Sequence, residues 1–191
     1  MKSKQMAWNI FSSHCEKNEL NKKTLRLPRQ VESDPRAQQL LHVLTAKTRV
    51  LWQEGEIKVP VAALGSELAT ALRSALGAGR MIRSLESAEH TLAAEERGLS
   101  LADRQSIVPR GVRVSRLLVM ADDGAERFYR QVERLLLRHG PRVLAVRLEV
   151  DADTLGEVVF GPGRRARLLL IAHKEAVSGV LLSMADPLPA S

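Results

Sequence analysis

Apolar residues fall at helical spacing over the first half of the folded chain and switch to unbroken apolar runs in the second half. Ser33-Asp34-Pro35 offers a capping side chain followed by proline in a first turn, where its missing N–H costs nothing. Ala37, Leu40, Leu41, Leu44 and Leu51 follow on one stripe, which predicts a helix with one buried face that ends at Gly55. Val59-Pro60-Val61 reads as a short extended link. A second helix is predicted over 62–76, with Leu64, Leu68, Leu72 and Leu76 aligned and Gly77 as its stop. A third is predicted over 80–97, ending before Gly98, and 99–112 reads as a connection.

Beyond residue 112 the period changes. Val114–Met120 carries Leu117, Leu118 and Val119 in succession, as suits a strand buried on both faces. A helix over 124–139 follows, closed by Gly140-Pro141, then a strand over Val143–Val150. Next come a short helix over Asp153–Phe160 broken by Gly161-Pro162-Gly163, a third strand over Arg167–Ala172 and a final helix over Lys174–Ala185. Strands alternating with helices imply crossovers. The expected fold is therefore an α/β, three-layer αβα sandwich with a small, mainly parallel sheet in the C-terminal part, preceded by helices. The chain divides into a basic extension (1–33), a helical segment (34–98) and an α/β domain (99–191), to which the helices from about 62 onward can also belong.

Composition refines this picture. Hydrophobic residues make up 45% of the 191 and aromatics only 3%, so the core must be built from Leu, Val and Ala. The net charge of +7 is unevenly spread: residues 1–30 hold seven basic and two acidic side chains, and 101–191 hold fourteen and eleven. The type of base changes too, from five Lys and two Arg in 1–30 to thirteen Arg and one Lys in 101–191. Residues 1–33 thus read as an arm of separate character, with a short helix around Trp8–Phe11. No apolar run approaches the roughly 20 residues needed to span a bilayer, and no secretory signal is legible, so no membrane partner and a cytoplasmic location are expected. Cys15 is the one cysteine, which excludes an intrachain disulfide and a multi-cysteine metal site.

Candidate chemistry is sparse. In a parallel sheet, ligands sit beyond the carboxyl ends of the strands. Three turns would converge there, contributing Asp122 and Asp123, Asp151 and Asp153, and His173 and Lys174. Together they could hold a hard cation or perform acid–base work; equally, Asp123 and Asp151 or Asp153 would simply cap the helices they precede. On the helix 124–139, Arg127, Arg130, Arg134 and Arg138 share one face over about 16 Å. They could track phosphates, or form a solvated face on which Glu126 and Glu133 pair locally. Arg164, Arg165 and Arg167 form a second basic cluster. Gly161-Pro162-Gly163-Arg164 lacks the ending of a phosphate loop, no histidines are paired at ligand spacing, and Ser178-Gly179 lacks a nucleophile-elbow frame. No cofactor and no metal set are legible. The turn Gly77-Ala78-Gly79-Arg80 between two helices invites a helix-turn-helix reading, but Arg73 stands where that motif wants a small residue.

From Leu76 onward the order of features resembles the kink-turn RNA-binding ribosomal-protein superfamily, a fold also found in the C-terminal domains of pelota-type and release-factor proteins. The resemblance rests on Ala78-Gly79-Arg80-Met81-Ile82, Arg116–Asp123, Thr154-Leu155-Gly156-Glu157, Gly161 and the strand Arg167–Ala172, and covers about 110 residues. It implies a compact α/β fold that meets RNA or a ribonucleoprotein. RNA-binding members offer a Gly-x-Asn-Glu-x-x-Lys-like stretch; the asparagine and lysine positions here hold Glu86 and His90, so the fold carries over more readily than that site.

Three functions are open on this reading. The first is a non-enzymatic protein that contacts RNA or a ribonucleoprotein through its arginines. The second is a protein–protein adaptor or homodimer using the helices at 35–97. The third is a metal-dependent enzyme at the strand ends.

Overall fold

A computed structural model describes residues 25–105 and 112–185. The proposed basic arm falls mostly outside this range, including Trp8–Phe11. Its last residues do not behave as an arm. Leu27 and Val31 are buried in the core, and Val114 N–H donates to the Arg26 carbonyl at 2.8 Å.

The elements in chain order are α1 (Arg29–Glu32), α2 (Ala37–Ala46), β1 (Thr48–Val50), β2 (Lys58–Ala62), α3 (Ser66–Gly77), β3 (Met81–Arg83) and α4 (Leu85–Gln105). They continue with β4 (Arg116–Met120), α5 (Glu126–His139), β5 (Val143–Leu148), α6 (Ala152–Phe160), β6 (Leu168–Ile171) and α7 (Lys174–Ser183). The six strands form one sheet in the order β1-β2-β5-β4-β6-β3. The mixed α/β character is as expected, but the sheet is not mainly parallel. Only β2·β5 and β5·β4 are parallel pairs, whereas β1·β2, β4·β6 and β6·β3 are antiparallel.

Side chains alternate across the sheet as the strand period requires. Leu117, Val119, Leu144, Val146, Leu169 and Ile171 point to the face covered by α1, α2, α3, α6 and α7. Leu118, Met120, Ala145, Leu168 and Leu170 point to the face covered by α4 and α5. Helices on both faces explain why the central strands read as continuous apolar runs.

The segment 34–98 is not purely helical. It supplies β1, β2 and β3 to the same sheet as the later strands, so the expected boundary at 98/99 does not exist; Gly98 lies inside α4. These strands are three to five residues long and lie at or next to the sheet edge, where short polar-flanked segments leave little periodic signal. Because β3 separates α3 from α4, the helix-turn-helix reading falls as well.

The direction of β6 has a local cause. After α6 the chain turns at Gly161 and Gly163, both at positive φ (96° and 69°), and runs back along the helix it has just left. Ala166 N–H then donates to the Ala152 carbonyl at 2.8 Å, so the chain is again at the start of α6. It therefore enters β6 from the edge at which β5 ended. The return path needs Gly156, since a Cβ there would stand 2.1 Å from the Arg164 carbonyl oxygen. Gly156→Ala is expected to destabilise the fold by about 3 kcal/mol, the upper range for overpacking against an immobile neighbour. Denaturant unfolding of the variant checks it, and a loss below about 0.5 kcal/mol would mean that the loop yields.

Candidate functional site

The parallel strands β4 and β5 do bring Asp122, Asp123, Asp151 and Asp153 to one edge, as expected. His173 and Lys174 do not join them. Since β6 is antiparallel to β4, its carboxyl end lies at the opposite edge, where Arg116, Ala172, His173, Lys174 and Glu175 line a separate hollow. The amino end of β6 reaches the aspartates instead and carries Arg165 and Arg167.

The aspartates are engaged by the fold. Asp151 caps α6, its Oδ1 accepting the Thr154 N–H at 2.7 Å. That hydrogen bond, with smaller help from the Thr154 side chain and Arg165, holds the carboxyl below the usual aspartate range. Asp123 does not cap the helix it precedes, where Ala125 is the N-cap. Its Oδ1 accepts the Ala152 N–H at 3.1 Å, and its Oδ2 pairs with Arg165 at 3.1 Å. Asp153 also faces Arg165, at 3.5 Å. Asp122 is shared by Arg49, at 3.3 Å, and the buried Arg147. Such an edge is a charge-paired framework: no group of three or more His, Cys, Asp or Glu suited to a metal ion occurs among the described residues.

Arg147 is held from several sides. It lies 4.3 Å from the centroid of the Tyr129 ring and donates to the carbonyls of Leu51 and Asp122, at 3.4 and 3.1 Å. The Tyr129 hydroxyl donates to the Ala121 carbonyl at 2.8 Å and accepts from Gly124 N–H at 3.1 Å, tying down the turn after β4. Burial pushes this phenol above its ordinary pKa, because the phenolate would be poorly solvated there.

The seven nominated arginines divide into two groups. Arg130, Arg165 and Arg167 have partners within the fold. Arg130 pairs with Glu126 and lies 4.4 Å over the Trp52 ring, Arg165 bridges Asp123 and Asp153, and Arg167 is half-buried 5.9 Å from the Phe128 ring. Arg127, Arg134 and Arg138 on α5, and Arg164 on the return loop, are exposed. Their side chains have no ion pair or hydrogen bond among the described residues. At about 100° per residue the four α5 arginines fall within roughly 80° of arc.

Local pairing along α5 is therefore only half realised. Glu126 does pair, but Glu133 turns inward and is 7% exposed. Its Oε2 accepts the Trp52 indole N–H at 2.5 Å, and its Oε1 accepts the N–H groups of Glu56 and Ile57 at 2.8 and 2.9 Å. Sequence reasoning placed Glu133 among the arginines of a solvated face and did not single out Trp52. The one signal for them is the helical position of residue 133, at the margin of the apolar face rather than within the arginine row.

No protein-family model matches the chain, and no curated protein matches it. A solved structure of a protein of unknown function from Bacillus halodurans C is similar at 15% identity and a TM-score of 0.42 over 64% of this chain and 99% of its own. That likeness is too slight to bear on the site.

Glu133→Ala would leave three inward-facing donors without an acceptor, with an expected loss of about 3 kcal/mol or more. Urea unfolding would read it, and Glu133→Gln should recover part of the loss by restoring an acceptor. Tyr129→Phe is expected to cost about 1–3 kcal/mol, since a carbonyl and an N–H lose their partner. Its pH signature follows from the raised pKa. The native state binds the phenol proton more tightly than the unfolded chain, so this stabilisation is complete below pH 10 and fades as pH climbs through the native value. An alkaline decline in melting temperature should thus be shallower in Tyr129→Phe; an identical slope would contradict the burial argument.

Proposed function

We propose that the protein is a non-enzymatic RNA- or ribonucleoprotein-binding protein that takes phosphates on the exposed face of α5. One observation carries this reading: Arg127, Arg134 and Arg138 lie in a row without carboxylate partners among the described residues. Elsewhere Arg49, Arg80, Arg113, Arg116, Arg142, Arg147 and Arg165 are each matched to an acid. Other exposed arginines without one among the described residues, such as Arg26, Arg29, Arg97 and Arg104, do not form a row of three on one helix. Guanidinium groups fixed along a rigid helix at intervals of three or four residues suit repeated contact with a phosphate backbone, independent of base sequence. Arg164 adds an exposed cation on the return loop.

The kink-turn resemblance belongs to this proposal as a matter of fold. The stretch that would correspond to its RNA site begins α4 and exposes Glu86, Glu89 and His90, a poor surface for phosphate. The arginine row is the better polyanion face. The adaptor reading has less to support it. Leu40, Leu44, Leu68, Leu72 and Leu92 are buried in the core, and Leu41, at 38%, is the one exposed large apolar side chain of 35–97. The enzyme reading lacks the His173 and Lys174 that were to complete its site. No helix among the described residues is long and apolar enough to cross a membrane. We place the protein in the cytoplasm, where RNA is abundant and a lone thiol such as Cys15 stays reduced.

The test is binding to a labelled RNA stem-loop by fluorescence anisotropy across a salt series. Replacing Arg127, Arg134 and Arg138 together by Ala should weaken binding roughly tenfold or more at low salt. It should also flatten the dependence of log K on log salt by about 2–3, near one unit per lost phosphate contact. Stability should hardly change, since all three side chains are exposed. An unaltered slope would remove the proposal.

A further inference from the structure

We infer that the nucleic acid met by the α5 face is single-stranded, and that one of its bases stacks on Trp52. This inference rests on the phosphate-binding reading above. Arg130 stands in the middle of the arginine row and its guanidinium covers the Trp52 ring at 4.4 Å. The ring is thus part of the same surface as Arg127, Arg134 and Arg138.

Trp52 is half-buried against the core, held by its edge, and has Arg130 over one face. The indole N–H is anchored to Glu133 at 2.5 Å, and the same carboxylate fixes the backbone at Glu56 and Ile57. A buried acceptor that holds three donors leaves the plane of the ring little freedom to turn. The cover is of a different kind. Arg130 and its partner Glu126 are each about half exposed (49% and 51%), so their ion pair is screened by water. A guanidinium that is itself half exposed to water is likewise only weakly held by the ring beneath it.

A nucleobase offers a larger face than a guanidinium and stacks more strongly on indole. Displaced from the ring, Arg130 would join its three neighbours in the phosphate row. Base and backbone are then read by adjacent groups: the fixed ring takes the base, and the arginines on either side take the phosphates. A duplex could not use the ring, because its bases are already stacked on both faces. The arrangement therefore selects unpaired strands or loops, with little base preference.

The experiment uses the full chain with Trp8→Phe, which leaves Trp52 as the sole indole. Its probes are an RNA of about 12 nucleotides unable to self-pair and a duplex of equal length, each followed by anisotropy and, unlabelled, by Trp52 emission. The expected result is quenching of Trp52 that follows the same isotherm as single-strand binding, with the duplex bound at least about tenfold more weakly. Trp52→Leu should weaken single-strand binding by roughly five- to a hundredfold, the range for one base–aromatic stack. Quenching of the native ring decides the matter if that variant disturbs the 52–57 segment. Salt-dependent binding with unchanged Trp52 emission, or with equal affinity for duplex, would overturn the stacking inference and leave the phosphate-binding reading standing. Absence of binding to either probe would overturn both.

Discussion

The edge geometry depends on a close backbone contact, the passage of residues 164–165 across Gly156. A chain leaving β5 through a helix would ordinarily cross over and return parallel. Here the return loop doubles back along α6 instead, which is possible only where the helix presents no Cβ. From that one constraint follow the antiparallel course of β6, the arrival of Arg165 beside Asp123 and Asp153, and the exclusion of His173 and Lys174 from the aspartate edge.

Charge is sorted by the same fold. Aspartates at the ends of β4 and β5 are absorbed by helix caps and by arginines from β1, β5 and the return loop. On α5 the one carboxylate that could have compensated the lower part of the row, Glu133, is drawn into the interior by an indole and two backbone N–H groups. Once it is withdrawn, the row keeps a net positive field. Whether Arg134 is a neutralised surface residue or a phosphate ligand is therefore decided by loop 52–57, seventy or more residues earlier in the chain.

Much of the C-terminal half was legible. Strands β4, β5 and β6 and helices α5, α6 and α7 lie within a few residues of their predicted spans, because the strands are apolar runs and α5 and α6 end at glycine and proline. The short strands β1, β2 and β3 were not, since three to five residues beside Pro60, Lys58 or Arg83 make neither an alternation nor an apolar run. Strand direction was illegible for another reason. Gly161-Pro162-Gly163 announces a turn, but nothing in those letters says that the chain then runs back against Gly156. The arginine row was visible from spacing alone; that three of its members are unpaired, and that Trp52 lies beside it, are consequences of tertiary packing.

All four described aromatic rings, Trp52, Phe128, Tyr129 and Phe160, have a guanidinium on one face, from Arg130, Arg167, Arg147 and Arg83. The four contacts are not equivalent. Arg147 is buried and hydrogen-bonded to two carbonyls, and Arg167 is half-buried, so neither can leave without stranding a charge or opening the core. Arg83 also donates to the Arg165 carbonyl, which ties it to the return loop. Arg130 differs, since its second partner is a solvent-exposed glutamate one helical turn away. Where every ring is capped by arginine, the ring with the weakest cap is the one a ligand can reach, and this ring stands beside the uncompensated row on α5.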